Sequence, residues 1–452
     1  MCDVLNRSRV AALERNWSLL VQCLQEWGNR ERGLGVSRAD LQQVLSWALE
    51  VLAFGDFQDR WEIGKVFVHV GTIAIAPLIE IIEDEEADLE ERWFAIKILG
   101  NFDFPDAIAT LVEVVKSSES EELSSIAADT LANLGSSAIA SLTSLLLLEE
   151  SRQFATVALA QIRQAEVIAP LLSVARDRVP SVRIAAIEGL SSFHDPRIPP
   201  LLIELLKDPV VEVRKEAAIA LGLRSYLDDE LGLVNLLKPL LKDISLEVNL
   251  ATAIALGRIK TDAAAAVLFE LFSSPLTPLA LQLEAVRALG WMETITALEL
   301  LEKVLIKSGI FQSEVVDRSP GLEIVDDAVS ILSLPFPVIQ EIVIILGRVA
   351  NSNVKNKAAD ILINLLKNGR SKVVEYLKKS LVVGLGNLGD MRAIETVIAM
   401  LADSDSSVKF HCIATLKQLD SQGIRQQLEQ LLNQENIKLN LKQGIAIALQ
   451  EW

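Results

Sequence analysis

Four stretches of the sequence repeat one pattern, in which an acidic residue is followed six positions later by a basic or polar residue. The clearest copy is KDPVVEVRKEAAIALGLR at 207–224, where Asp208 precedes Arg214 and Gly222 follows. Related stretches occupy 176–193, 242–259 and 402–419. Repeats of roughly 30 to 40 residues are typical of arrays of helix pairs, in which each unit contacts only its neighbours.

Each copy predicts a helix with one apolar stripe. The stripe in the clearest copy recurs at helical spacing and consists of Val210, Val213, Ala217, Ala220 and Leu221. We expect Asp208 to cap this helix, Pro209 to occupy its first position and Gly222 to end it. From one turn into the helix, Arg214 can reach Asp208 or the equivalent acid of the next unit, which predicts a ladder of ion pairs.

A second helix is predicted before each of these helices. Ile-Ala-Pro or Ile-Pro-Pro opens the stretches 75–79, 168–172 and 198–202. Proline is tolerated in the first turn of a helix, where its missing N–H has no partner to lose. The composition, rich in Leu, Ile, Ala and Val with only 5% aromatic residues, also favours packed helices.

The stretch DPVVEVRKEAAIALG resembles the HEAT repeat, and HDPRIPPLLIELL (194–206) and GDMRAIETVIAML (389–401) look like the HEAT-like repeats of phycobilisome (bilin) lyases. The resemblance covers about residues 57–452. Together with the repeat phase, it predicts an all-α, right-handed α-solenoid of about eleven to twelve HEAT-like helix pairs.

Two regions depart from the rhythm. Residues 1–56 predict an atypical N-terminal helical cap, because a solenoid must cover its exposed end. The alternative is an aromatic binding patch, since this region and the start of the solenoid hold Trp17, Trp27, Trp47, Trp61 and Trp93. The segment near 306–337 is irregular or inserted, and it is interpreted either as a degenerate repeat or as a docking loop.

Charge and cysteine usage limit the classes of function. The formal net charge of −18 disfavours nucleic acid and anionic membranes as partners. No run of 18 uncharged apolar residues predicts a membrane span. The three cysteines form no CxxC pair, which suits a reducing compartment, so we expect a cytoplasmic protein.

The sequence offers little catalytic chemistry. The three histidines (His69, His194 and His411) form no His-Glu pair, unlike the di-iron repeat protein deoxyhypusine hydroxylase. Cys412 follows His411 but falls in the apolar phase of its helix, so a buried structural thiol is expected. The acidic residues between 80 and 91 are interpreted as a solvated turn rather than a calcium loop. No metal or cofactor site is predicted.

The favoured hypothesis is a non-enzymatic scaffold or assembly factor that binds another protein on the concave face, lined by the second helix of each unit. The candidate contact residues are Arg183, Arg214, Asn249, Lys372, Lys378, Lys379 and Lys409. The resemblance implies a different function, a bilin lyase or bilin chaperone that presents an open-chain tetrapyrrole bilin to a phycobiliprotein subunit. A third hypothesis is an assembly or degradation factor for a photosynthetic or other large complex. Whether the protein is an enzyme is left open at this stage.

Overall fold

A computed structural model describes residues 2–30, 37–117, 120–308, 310, 334–369, 372–434 and 436–452. Within these ranges the regular elements are α-helices and short 3-10 helices, and none of these residues lies in a β-strand. The all-α prediction is therefore confirmed. The residues form two compact units, Met1–Leu201 and Leu202–Trp452. The predicted cap boundary at residue 56 stays a prediction.

The first unit consists of twelve helices and the start of a thirteenth in its described residues. They are α1 (Cys2–Leu13), α2 (Trp17–Arg30), α3 (Arg38–Phe54), α4 (Phe57–Val70), α5 (Ile75–Glu83), α6 (Leu89–Leu99), α7 (Pro105–Ser117), α8 (Glu121–Leu134), α9 (Ser136–Leu145), α10 (Arg152–Gln161), α11 (Ile168–Val174), α12 (Pro180–Leu190) and α13 (Ile198–Leu205).

The second unit continues from the end of α13. Its helices are α14 (Val211–Gly222), α15 (Asp228–Leu231), α16 (Leu233–Leu237), α17 (Leu246–Ile259), α18 (Asp262–Ser273), α19 (Leu279–Met292), α20 (Ile295–Lys307), α21 (Phe336–Leu346), α22 (Ser352–Asn368), α23 (Lys372–Leu388), α24 (Ile394–Ala399), α25 (Ser406–Leu432) and α26 (Leu439–Gln450). Helix α25 is interrupted at Asp420, whose backbone is not helical. Most of the irregular segment predicted near 306–337 lies outside the described residues.

The helices alternate between two layers. We call the first helix of a pair the A helix and the second the B helix; α5 and α6, α7 and α8, or α18 and α19 are such pairs. Within a unit, a B helix packs against its own A helix and against the B helices of neighbouring pairs, as α19 does with α18, α17 and α21. Because every pair buries its apolar stripe against the next, the core runs along each unit rather than lying at one centre.

The prolines predicted to open the A helices lie where expected, whereas Pro209 lies before the N-cap of α14 and not at its first position. Helices α5, α11 and α13 begin at Ile75, Ile168 and Ile198, so their prolines occupy the first turn. There a missing N–H leaves no intrahelical bond unmade.

The predicted cap of α14 is wrong by two residues. The helix begins at Val211, and its N-cap is Val210, whose side chain makes no capping bond. Asp208 instead accepts a hydrogen bond from the backbone N–H of Val210, at 2.9 Å. The aspartate therefore forms an Asx turn that closes the connection between the A and B helices. The sequence pattern is the same, but the carboxylate orders the turn rather than the helix end.

Helix α14 ends at Gly222, as predicted, but the reason for the glycine differs from the one expected. Gly222 is the last residue of α14 in ordinary helical geometry and has no positive φ. A Cβ at this position would lie 2.7 Å from both Cα and Cβ of Ala255 on α17. Glycine is needed because neighbouring B helices approach closely, as they do again where Gly257 on α17 faces Ala288 on α19. The sequence of one repeat could not predict this contact, because Ala255 belongs to the next repeat.

One stretch of the described residues, Phe57–Glu83, is long and apolar enough to cross a membrane by length and composition alone. In the structure this stretch is not one straight helix. Gly71, with φ +80°, separates α4 from a 3-10 turn that leads into α5. Helix α4 packs against α2, α3 and α6, so the stretch forms parts of two helix pairs.

Candidate functional site

The polar residue of each repeat closes the turn between the A and B helices. In the clearest copy, Arg214 Nη1 donates to the backbone oxygen of Asp208 at 2.8 Å. Its Nε and Nη2 donate to the two carboxylate oxygens of Asp243 in the next repeat, both at 2.8 Å. Arg214 therefore binds its own turn through the backbone and the next turn through a bidentate ion pair. The sequence suggested two acids for Arg214, its own Asp208 or the equivalent acid of the next repeat. The structure shows that the carboxylate is Asp243 of the next repeat.

The same link recurs in both units. Arg152 pairs with Asp177 at 3.0 Å in the first unit, and Lys378 pairs with Asp403 at 2.6 Å in the second. Asp177, Asp243 and Asp403 also accept a backbone N–H two residues ahead, as Asp208 does. The predicted ladder is confirmed at these positions. Its aspartates have two functions, ordering one turn and binding the cation of the preceding repeat.

These contacts shift the pKa of several groups. The hydrogen bonds from Arg214 lower the pKa of Asp243, against the effect of its partial burial. Burial lowers the pKa of Lys378, but its hydrogen bonds to Asp403 and Glu375 outweigh burial, so the pKa is raised. Both shifts favour the charged form of a paired group. The ladder contacts therefore stabilise the ionised forms of Asp243 and Lys378.

The structure separates the seven predicted contact residues into two groups. Arg183 and Asn249 are each only 7% exposed, and their side chains donate to backbone oxygens of their own turns. The side chain of Arg214 is 12% exposed. These three side chains are therefore largely buried at the turns between A and B helices.

The four lysines lie on two neighbouring B helices of the second unit. Lys372, Lys378 and Lys379 share α23, and Lys409 is on α25. Lys372 and Lys379 are exposed, whereas Lys378 and Lys409 are half-buried. Lys379 lies 3.3 Å from Asp405, so it adjoins the turn that Lys378 also contacts. Lys378 is therefore part of the ladder, whereas Lys372 and Lys379 are exposed.

A larger feature lies on the B helices of the first unit. A groove of about 760 Å³ is open to solvent between α4, α6 and α8. Its lining residues come from the helix faces that point away from the A helices, and they include Trp61, Lys65, Val68, His69, Lys97 and Asp129. We call this feature the aromatic groove.

Stacked aromatic side chains form one wall of the aromatic groove. Phe57 stacks on Trp61 with ring centroids 6.4 Å apart, and it meets Phe94 edge-on at 5.3 Å. Phe94 in turn contacts Trp93 at 5.0 Å. Trp61 is 42% exposed although it belongs to this cluster. In a chain with only 5% aromatic residues, such a concentration at an open surface marks a candidate site.

Lys97 lies over the aromatic cluster. Its Nζ is 4.1 Å from the ring centroid of Trp61 and 5.0 Å from that of Trp93. Among the described residues, no carboxylate pairs with Lys97. Asp129, the carboxylate among the lining residues, accepts a hydrogen bond from Gln161 at 2.9 Å. The aromatic groove therefore presents an exposed cation on an aromatic wall.

The tryptophans of the N-terminal region and of the start of the solenoid differ in burial. Trp27 and Trp47 are buried in the core of α2 and α3. Trp61 instead lines the aromatic groove, and Trp93 is half-buried beside Lys97. The repeat phase carried a signal for this difference, because Trp61 and Trp93 directly follow the polar turn residues Arg60 and Arg92. Lys65 and Lys97 follow those turn residues by five positions and lie on the same open face.

The other candidates for chemistry are structural. Cys412 is fully buried, and burial raises the pKa of its thiol to about 12. A thiol with that pKa stays protonated at neutral pH and is a poor nucleophile. In the acidic segment, Asp88 and Glu90 pair with Arg60 at 3.0 and 2.5 Å. Among the described residues, no group of three or more His, Cys, Asp or Glu side chains could hold a metal ion.

Comparison with known proteins agrees with this geometry. A family model described as HEAT repeats matches residues 75–153, 149–222 and 198–282. These residues are similar to HEAT repeats. The matched segments contain the links from Arg152 to Asp177 and from Arg214 to Asp243, so the ladder belongs to the repeat itself. A search of the curated proteins gave no match.

Solved structures support the fold class. A crystal structure of importin beta in a polyethylene glycol condition aligns with 97% of this chain and 69% of its own, at 14% identity and a TM-score of 0.52. A second, in an ammonium sulfate condition, aligns with 98% of this chain and 64% of its own, at 14% identity and a TM-score of 0.51. The predicted α-solenoid class is thereby confirmed. Human deoxyhypusine hydroxylase aligns at 20% identity over 53% of this chain and 92% of its own, with a TM-score of 0.26.

Proposed function

We propose that the chain is a protein-binding scaffold without catalytic activity of its own, and that the aromatic groove is its principal binding surface. The observation that carries this proposal is the exposure of Trp61 and Phe57 beside Lys97. Aromatic side chains dominate the energy of protein interfaces when they become fully buried there. Trp61 and Phe57 are not fully buried in the chain itself, so a partner can supply the missing cover.

The aromatic groove is also preorganised for binding. Its side chains project from the helices α4, α6 and α8, and stacking with Phe57 and Lys97 restricts Trp61. A rigid surface loses little conformational entropy when a partner binds, which leaves more of the contact energy as affinity. The ion pairs at the turns also help to keep the groove rigid. Arg60 pairs with Asp88 and Glu90 and so links α4 to the turn before α6.

The exposed lysines Lys372 and Lys379, with Lys409 nearby, form a second proposed contact region. In an acidic chain, a local basic cluster can orient a partner that carries negative charge. For Arg183, Arg214 and Asn249, which were predicted contact residues, their burial favours a structural role. The free thiols Cys23 and Cys412 are in keeping with a cytoplasmic location.

A bilin chaperone or lyase acting on a phycobiliprotein subunit is the second candidate. The aromatic groove gives this candidate some support, because its volume suits a small molecule and it combines Asp129 with Lys65 and Lys97. An acid could face the pyrrole nitrogens of a tetrapyrrole, and the lysines could face its propionates. Mixing the purified chain with phycocyanobilin tests this candidate. A shifted visible absorption that Trp61→Ala abolishes would favour it, and an unchanged spectrum would exclude it.

Co-purification from the source cells tests the scaffold proposal. Tagged wild-type chain is compared with Trp61→Ala and with Leu147→Ala, which removes an exposed apolar side chain outside the aromatic groove. We expect at least one protein to co-purify in a stable ratio with the wild type and with Leu147→Ala, and to be lost with Trp61→Ala. The proposal fails if every co-purifying protein is retained by Trp61→Ala while circular dichroism shows that the variant is folded.

A further inference from the structure

We propose that the aromatic groove receives an acidic segment of a partner protein, with an apolar side chain on the aromatic wall and a carboxylate on Lys97. This inference rests on the proposed scaffold function and specifies the chemistry of its partner. It commits to a short segment of another protein as the occupant.

Most of the charged side chains that line the aromatic groove are cationic, although the chain as a whole is acidic. The chain carries a formal net charge of −18, yet the groove is lined by Arg60, Lys65 and Lys97 against the carboxylate of Asp129. Arg60 pairs with Asp88 and Glu90, and Lys65 lies 2.7 Å from Glu62. Lys97 is the lining cation for which the described residues offer no carboxylate. An incoming acid can bind it without displacing an existing ion pair.

The aromatic neighbours of Lys97 increase the benefit of a carboxylate there. The two indole rings hold the ammonium group in place and shield it from part of the solvent. A charge pair that forms beside apolar surface is screened less than one in open water. Nucleic acid offers negative charge as well, but its extended phosphate backbone would meet the repulsion of the acidic chain. A segment with few charges and an apolar side chain fits better.

The floor of the aromatic groove leaves room for that apolar side chain. Gly64 on α4 lines the groove without a side chain, and a Cβ there would meet only Ile98, at 3.4 Å. At Gly100, after α6, the side chain of Thr130 fills the corresponding space. Ile98, Val68 and Ile126 supply apolar surface around them. A Leu- or Phe-sized side chain entering between Trp61 and Val68 would be covered on several sides.

The length of the aromatic groove sets the size of the segment. Packed helices lie about 8–10 Å apart, so α4, α6 and α8 together span roughly 20 Å. An extended chain advances about 3.3 Å per residue, so about six residues cross the groove. A segment of that length can place one apolar side chain against the aromatic wall and one carboxylate against Lys97.

Selection from a random peptide library tests the inference. A phage-displayed library of twelve-residue peptides is selected on the wild-type chain and, in parallel, on Trp61→Ala. We expect the peptides enriched on the wild type alone to be acidic and to contain a Leu, Phe or Trp. Neutral or basic enriched peptides would overturn the inference, and so would peptides enriched equally on Trp61→Ala or no enrichment at all.

The most enriched peptide is then titrated by fluorescence anisotropy against three lysine variants. Lys97→Gln should weaken binding at least fivefold, and Lys97→Arg should restore most of it. Lys303→Gln is the matched control, because Lys303 also lies over an aromatic ring, that of Phe269, but on α20 of the second unit. Its affinity should equal that of the wild type. An unchanged affinity for Lys97→Gln, or an equal loss for Lys303→Gln, would contradict the role of Lys97.

These results are separable from those of the co-purification. If a partner depends on Trp61 but the selected peptides are not acidic, the scaffold proposal stands and the acidic-segment inference fails. If no partner depends on Trp61, the scaffold proposal fails whatever the peptides show.

Discussion

Arg214 holds Asp243 by two hydrogen bonds of 2.8 Å while its remaining terminal nitrogen donates to the backbone oxygen of Asp208. One side chain therefore joins two consecutive turns of the array. Since the two side chains are each only 12% exposed, this pair is screened less than an ordinary surface ion pair.

Arg214→Ala should lower the free energy of unfolding by about 1–3 kcal/mol, because it leaves the Asp243 carboxylate partly buried without its partner. Leu221→Ala, which empties a fully buried site, should cost about 2–5 kcal/mol. Urea unfolding monitored by circular dichroism measures both. Arg425→Ala removes a pair with Glu429 in which both side chains are 53% exposed, and it is the control with little expected effect. A loss for Arg214→Ala no larger than that for the control would contradict the structural role of the ladder.

The stability that this pair contributes should depend on pH. Arg214 lowers the pKa of Asp243, so the contribution is fully present above the ordinary aspartate pKa and is lost as the pH falls through the lower folded pKa. The stability difference between wild type and Asp243→Asn should therefore shrink below about pH 4. Urea unfolding between pH 3 and pH 7 gives this difference. A difference that stays constant down to pH 3 would show that the carboxylate charge is not what stabilises the turn.

Gly222→Ala should destabilise the protein although alanine is the better helix former. The new methyl group would lie 2.7 Å from Ala255 on α17, and relieving that clash should cost about 1–3 kcal/mol. Gly64→Ala is the matched control, since its Cβ would meet only the Ile98 side chain, at 3.4 Å. Equal melting temperatures for the two variants would refute the close packing of α14 and α17.

The sequence predicted the ladder because an acid and a basic or polar residue recur at a fixed spacing of six residues. In a stack of similar repeats, a fixed spacing places each such pair in an equivalent position. It did not predict the function of Gly222, which is decided by Ala255 in another repeat. It also placed Asp208 at the helix end rather than in the turn, because an Asx turn and an N-cap require the same residue types.

The aromatic groove was only partly predictable. Trp61 and Trp93 occupy the same repeat phase, which assigns them to one face of successive B helices. The phase alone does not tell whether that face is covered by the cap helices, and Trp27 and Trp47 are in fact covered. The position of Lys97 over two rings depends on the distance between α4 and α6, which the sequence does not contain.

Lys378 and Lys379 should differ in their effect on stability. Lys378 contacts both Asp403 and Glu375, whereas Lys379 makes an exposed contact with Asp405. Lys378→Met should lower the melting temperature measurably and Lys379→Met should not. Differential scanning fluorimetry of the two variants measures this, and an equal shift would argue against the ladder contact. Lys372→Gln with Lys379→Gln then tests the second contact region without disturbing the ladder.

The central claim is that a partner protein covers the aromatic groove, and site-specific photocrosslinking tests it most directly. A photoreactive amino acid replaces Val68, which lines the groove and is 52% exposed, or Leu147, which is 82% exposed in the turn after α9. In the source cells, the chain labelled at Val68 should form a discrete covalent product with one protein, and adding Trp61→Ala should abolish it. The chain labelled at Leu147 should not form that product. A Val68 product that persists with Trp61→Ala, or that Leu147 gives equally, would contradict the claim.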